Sequence, residues 1–491
     1  MPRRNILRTM FGLDWRSLAL MRMGLAAVIL ADLFICAQHL TAFYTDDGVL
    51  PRANLIMATN PVFGLYQLSG SAWWAAGLFI LEAVSALMMF VGYRTRLTTA
   101  LCWFLLVSRQ ARNPLLLFGA DIVLRIGMFW AMFLPLNRRY SLDAVQGRVQ
   151  APTTPSYLGA AGIGAITQFL LVYIISGMLK TGPSWRVDHT AVYYALAIEI
   201  YSRPLGTWLN QFDGVTAFFT VCTLYLEIYG PLLFILPVFS AWGRMLGFVL
   251  FALLQVGFGI TMEMGLFWAI MIVVSLMFLP TEFWTWLVEP LGRRVAKWQP
   301  AKTAPPIQQP TPVFGATFLR RCGRLLRDGG LLALAVVIVL YNVDTLAERP
   351  PLLPARFSSM VGNIGLDQYF NMFAPDPQTQ DGWLVVRGWL QNGRNVDLRT
   401  GDFPASFAKP AVVAETYGDE RMASWLIDLT FDEYAQFREG YLDYLARQWN
   451  QRHSPAEQVK TAELIFVVQI NGLNHYKSYP TSVVLWTEYF N

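Results

Sequence analysis

Over its first 344 residues the chain alternates long apolar runs with short polar ones, and a different rhythm takes over afterwards. Candidate membrane spans fall at about 17 to 37, 72 to 91, 97 to 110, 115 to 136, 158 to 179, 215 to 238, 243 to 261, 265 to 288 and 329 to 344. Several approach the ~20 apolar residues that carry a helix across the bilayer hydrocarbon. Past residue 345 the period shortens. Gly382–Leu390, then Asn392 and Gly393, then Asn395–Leu398 read as a hairpin, because Asn-Gly accepts the positive φ angles of a tight turn. Tyr434, Phe437, Tyr441, Tyr444, Leu445 and Trp449 recur at helical spacing. Two further strands are expected at about 463 to 470 and 482 to 490. The fold class expected is an all-α polytopic membrane bundle of about nine spans with a C-terminal extracytoplasmic α+β domain.

The boundaries follow. A helical membrane domain covers 1–298, a linker 299–328, a last span 329–345 and the α+β domain 346–491. The linker opens on a proline-rich stretch from Gln299 to Pro312 that has no apolar period, and continues basic. Gly243 and Gly247, four apart, are a small-residue pair that suits close helix packing.

Charge adds an orientation. Up to residue 344 there are 26 Lys and Arg against 16 Asp and Glu, and beyond it 12 against 17. A basic membrane portion and a mildly acidic water-facing domain match the bilayer as partner and exclude a nucleic-acid role. With the N-terminus in the cytoplasm, Arg94, Arg96, Arg138, Arg139, Arg148, Arg244, Arg293, Arg294, Lys297, Lys302, Arg320, Arg321, Arg324 and Arg327 all share that side, as the positive-inside rule requires. The loop from 38 to 71 opposes them with Asp46 and Asp47 against Arg52. The C-terminal domain then lies outside a cytoplasmic membrane. Arg3, Arg4 and Arg8 precede the first apolar run, which is read as an uncleaved first helix. Composition agrees, at 55% hydrophobic and 14% charged residues. Cys36, Cys102, Cys222 and Cys322 stand singly and there are four histidines, so neither a metal site nor a disulfide framework is expected.

Charged and amide residues inside spans cost a few kcal/mol each. Arg22, Asp32, Glu82, Asp121, Arg125, Glu227, Gln255 and Glu263 therefore point to a polar cavity within the bundle. Asp121 and Arg125 are four apart, so one helix face is expected to hold them as a pair. The stretch from Phe169 to Glu199 is the most suggestive: an apolar run stops on Lys180, turns through Thr181–Ser184, reaches Trp185 and resumes as a half-apolar helix. Two readings of Lys180 stand. A lone ammonium at the edge of hydrocarbon loses its proton readily and serves as a base, and a lysine beside a tryptophan is equally an interface anchor. His189 lies nine residues further on, with Tyr193 one turn beyond it, both within reach of the same pocket.

Several motifs carry a resemblance. Asp14–Arg22, Phe43–Leu50, Gly92–Arg96, Arg112–Pro114, Gly119-Ala120-Asp121 with Arg125, Trp185 with Thr190–Tyr194, and Met372–Pro375 are similar to segments of the bacterial horizontally transferred transmembrane domain (HTTM) family. That family is itself similar to the vitamin K-dependent gamma-carboxylase, which oxygenates a reduced naphthoquinone and uses the base so formed to carboxylate glutamate. The resemblance implies a reduced, vitamin K-like quinone as cofactor, a protein or peptide substrate at the outer membrane face, and Lys180 as general base. Its carrier is Gly177-x-x-Lys180-x4-Trp185. Trp185, His189, Tyr193, Asp121, Arg125 and Gln255 are the accompanying pocket candidates. The chain departs from the carboxylase around Asn113 and Pro114, and at Gln255, where that enzyme carries histidines. A non-enzymatic transporter, or a lipid- or protein-binding scaffold with an outward docking domain, is the alternative.

Overall fold

The computed structural model describes residues 6–58, 64–289, 314–346 and 350–490. The bundle is built from α1 (Trp15–Gln38), α2 (Ala72–Val91), α3 (Thr95–Gln110), α4 (Gly119–Phe133), α5 (Ala160–Leu179), α6 (Asp213–Tyr229), α7 (Ser240–Thr261), α8 (Phe267–Ser275) and α9 (Phe314–Asp344). Among the described residues six helices are long and apolar enough to cross a membrane: α1, α2, α5, α6 extended to Ile235, α7, and Cys322–Asp344 of α9. The bent pair Phe267–Phe278 and Thr281–Val288 makes a seventh if it is one span. The protein is a multi-pass membrane protein on this measure, with six or seven such helices rather than nine. The difference lies in α3 and α4, which have 16 and 15 residues, or about 24 and 22 Å at 1.5 Å per residue.

Local chemistry sets the helix ends. Asp14 caps α1 by accepting from Arg16 N, and Ser71 caps α2 by accepting from Trp74 N, each satisfying an N–H that no helical carbonyl reaches. α2 stops at Gly92, where φ is +72°, a left-handed cap that suits glycine. After Phe278 the chain turns by 93° around Pro280, which has no N–H to continue the helix. The expected proline-rich linker lies outside the described residues, apart from its basic end: Phe314 to Asp328 is helical and continuous with the last span.

α8 is central, packed against α1, α4 and α7, and α5 is held between α6 and α9. The Gly243 and Gly247 pair admits the Leu233–Phe234 turn just before it rather than another long helix. At one end Arg22 donates to the carbonyls of Phe90, Leu136 and Tyr140, Arg244 to those of Met10 and Gly12, and Arg16 pairs with Glu289. These three arginines mark that end. Opposite them sits the C-terminal domain.

That domain contains a four-stranded antiparallel sheet of β1 (Gln380–Leu390), β2 (Asn395–Asp397), β3 (Val459–Ile470) and β4 (Thr481–Tyr489), in the order β2-β1-β3-β4. Trp383 faces Val467 and Arg387 faces Glu463 across the β1–β3 ladder. Gly393 takes φ +81° in the hairpin turn, as its Asn-Gly sequence requires. Helices α10 (Glu420–Asp428) and α11 (Arg438–Asn450) complete the domain, with α11 on β3 and β4. The buried apolar core runs without a break from Leu13 in the bundle to Val467 in the sheet.

Candidate functional site

Lys180 follows the last residue of α5, and its side chain folds back along the helix instead of reaching for water. Its Nζ donates to Ser176 Oγ at 2.8 Å and to Glu227 Oε2 of α6 at 2.6 Å, and lies 5.1 Å from the centre of the Trp185 ring. Lys180 is 3% exposed and Glu227 6%. Such a pair holds its charges only because each desolvated ion has a partner. The ammonium read from the sequence as lone is therefore answered by the Glu227 carboxylate.

The loop after Lys180 is locked by the outer domain's approach segment. Trp185 Nε1 donates to the Phe373 carbonyl (2.7 Å), Gly182 N to the Pro375 carbonyl (3.0 Å) and Ser184 N to Asp376 Oδ1 (3.0 Å), with Ser184 Oγ on the same carboxylate. Gly182 is needed there because a Cβ would strike the Asp376 carboxylate. Lys180, Glu227, Ser176 and Trp185 then form one wall of a cavity of about 290 Å³, near the lower end of the range for ligand pockets. The rest is chiefly apolar, from Val172, Leu254, Phe258, Met271 and their neighbours. A second polar spot faces in from α7: Gln255 Nε2 donates to Tyr173 Oη at 3.0 Å, while Gln255 Oε1 is buried and makes no hydrogen bond. An orphaned acceptor of that kind costs about 1 to 3 kcal/mol until a donor arrives.

Lys180, Trp185 and Gln255 are therefore brought together, and four other candidates are placed elsewhere. His189 takes φ +55° and its Nδ1 lies 3.2 Å from the Trp185 carbonyl. Tyr193 Oη donates to the Gly472 carbonyl (3.0 Å) and accepts from His475 N (2.7 Å), fastening an outer-domain loop. Asp121 and Arg125 do not pair with one another. Arg125 donates to the Gly365 carbonyl (2.7 Å) and pairs with Asp367 (3.1 Å), while Asp121 takes Arg421 from α10 (2.7 Å). Each side chain takes its partner from the outer domain instead, Arg421 for Asp121 and Asp367 for Arg125.

Arg421 is the residue that sequence reasoning missed altogether. Its guanidinium enters the bundle, pairs with both Asp32 and Asp121, and donates to the Leu116 carbonyl at 2.8 Å. Asp32 also pairs with Arg109, which reaches Glu82 at 3.2 Å. A chain of five buried charges thus ties α1, α2, α3, α4 and α10. Glu227, Tyr173 and Ser176 were also missed as site residues; the in-span carboxylate and the four-residue spacing of Ser176 and Lys180 were the available signals.

The donor set suits an amphiphilic quinol: apolar walls for the ring and tail, the Lys180–Glu227 pair for one hydroxyl, and the unpartnered Gln255 Oε1 for another donor. Among the described residues no group of three or more His, Cys, Asp or Glu could hold a metal ion. No family model matches the chain, and neither does any curated protein or solved structure.

Proposed function

We propose that this is a membrane enzyme that binds a reduced, quinone-like lipid in the Lys180 cavity and moves a proton between that ligand and the Lys180–Glu227 pair. The single observation behind the reading is that pair, buried, 2.6 Å long and set into the wall of an otherwise apolar cavity. A bound quinol supplies a hydroxyl proton and two reducing electrons, and dioxygen, the co-substrate that the resemblance to the carboxylase implies, takes the electrons. The chain's own residues supply the rest. Trp185 walls the ammonium from water, Ser176 and Glu227 fix its direction, and a proton shift along the Lys180–Glu227 hydrogen bond leaves an amine able to accept a proton from a hydroxyl beside it. Gln255 Oε1 orients the ligand from the opposite wall.

The resemblance to the carboxylase-like family supports the same choice of ligand and extends it to a protein or peptide substrate at the outer face. The positive-inside rule, applied to the basic residues of the bundle, supports an extracytoplasmic position for Lys180 and the sheet domain at a cytoplasmic membrane.

The test is naphthoquinol and benzoquinol binding and oxidation by the purified chain in nanodiscs, comparing wild type with Lys180→Met and Glu227→Gln, and following carbon dioxide incorporation into glutamyl peptides in parallel. Both variants are expected to lose oxidation by at least ~100-fold, the scale of general acid–base catalysis. Wild-type protein that binds neither quinol refutes the reading. Binding with no turnover leaves a lipid-binding scaffold instead.

A further inference from the structure

A second cavity, of about 350 Å³, lies where the outer domain sits on the bundle. It shares Met264, Phe267, Met372 and Phe373 with the Lys180 cavity as a common partition. Its polar lining is one-sided: Glu263, Asp376, Glu420 and Asp428 are there, with no lysine or arginine among the lining residues. Two of these carboxylates are already matched. Glu263 pairs with Arg203 at 2.7 Å, and Asp376 accepts from Ser184 N and Oγ.

The other two are not. The Glu420 side chain is 7% exposed; Oε2 accepts from Leu266 N at 2.8 Å, and Oε1 is buried with no hydrogen bond. The nearest cation is Arg421, whose Nε lies 3.9 Å from that oxygen, an ion pair too long for a hydrogen bond, while its two Nη atoms serve Asp32 and Asp121. In this neighbourhood the four carboxylates of Asp32, Glu82, Asp121 and Glu420 face the two guanidiniums of Arg109 and Arg421, with the Arg125–Asp367 pair neutral beside them. Asp428, at the far end of the same helix, has no side-chain hydrogen bond and no ion pair among the described residues. Eight residues of α-helix set the two carboxylates about 12 Å apart along the axis. Burial pushes both carboxyls up to about 7, the cost of leaving anions without counter-charges.

We infer that this junction cavity is a binding site for an organic cation, an ammonium group on an apolar chain, which the orphaned Glu420 oxygen binds directly and the unpaired Asp428 charge favours from the far end of the cavity, while Met264, Phe267 and Met372 pack the chain. An ammonium has the three donors that the orphaned Glu420 oxygen and the unpaired Asp428 lack. Apolar walls shared with the Lys180 cavity take the stem. The site does not depend on the quinol reading, since none of its four carboxylates touches Lys180.

The experiment is calorimetric titration of the full chain in zwitterionic nanodiscs with hexylamine, hexanol and hexanoate, with empty nanodiscs as reference. Hexylamine is expected to bind at least about tenfold more tightly than either isostere, the scale of a hydrogen bond to a charged group. Glu420→Gln, which keeps an acceptor for Leu266 N, and Asp428→Asn should each weaken it several-fold. Equal affinity for the three compounds overturns the inference on wild-type protein alone, whatever the variants do. So does an amine affinity that holds in the two carboxylate variants.

Discussion

Replacing Arg421 by methionine removes the cation that joins Asp32 to Asp121 in the five-charge chain and keeps an unbranched apolar stem in its place. Asp32 keeps Arg109. Asp121 keeps only Gln110 Nε2 at 3.5 Å and Phe118 N at 3.2 Å, so one carboxylate is left buried, 2% exposed, without a counter-ion. Removing one partner of a buried pair costs about 3 to 5 kcal/mol, far more than the ~1 kcal/mol ceiling of a surface pair. The cost falls on docking, because Arg421 belongs to α10 and its acceptors to the bundle. Hydrogen exchange at the α10 amides, in nanodiscs, should therefore speed up by about two to three and a half orders of magnitude. Asp121→Asn introduced with Arg421→Met should restore part of the protection, since it deletes the stranded charge. A change below about tenfold, or a double variant worse than the single, refutes the account of Arg421 as the tie between domain and bundle.

Three further outcomes follow from the same geometry. Gln255→Leu removes a half-satisfied amide, so stability should move by less than about 1 kcal/mol while quinol affinity falls about tenfold; a melting curve and a binding titration separate the two. Gly182→Ala drives a Cβ into the Asp376 carboxylate and should destabilise the Lys180 loop by about 1 to 3 kcal/mol, visible as faster proteolysis near Arg186. Burial pushes the carboxyls of Glu420 and Asp428 up to about 7, with Asp32 and Asp121 adding to the first and Glu433 to the second. Between their unfolded values and that pH the folded chain holds more protons, so stability should rise as pH falls from about 8 to about 5; Glu420→Gln with Asp428→Asn should flatten that slope in thermal unfolding.

Much of the architecture was legible in the chain. The apolar runs, the Asn392–Gly393 turn and the aromatic spacing of α11 each show in local sequence, because helix period, turn φ angles and strand alternation are local properties. The helix lengths were less legible: α3 and α4 fall short of a full span, since α3 ends at the turns of Arg94 and Ala111 and α4 at Phe118 and Leu134, rather than where apolar content ends. For the site, Lys180 and Trp185 were readable five residues apart, and Gln255 as an amide in hydrocarbon. His189 and Tyr193 were plausible by proximity alone and belong to loop fastening.

What the sequence determined by itself was the membrane class of the chain, the separation of a helical portion from a mixed one, and the presence of charges that hydrocarbon would not tolerate unpaired. Only the tertiary structure decided who answers those charges. Lys180 meets Glu227 across 47 positions and Asp32 meets Arg421 across 389. A buried ion must find a partner somewhere, and desolvation says so from the residue alone; which partner arrives depends on packing between elements far apart in the chain, and no local pattern encodes that.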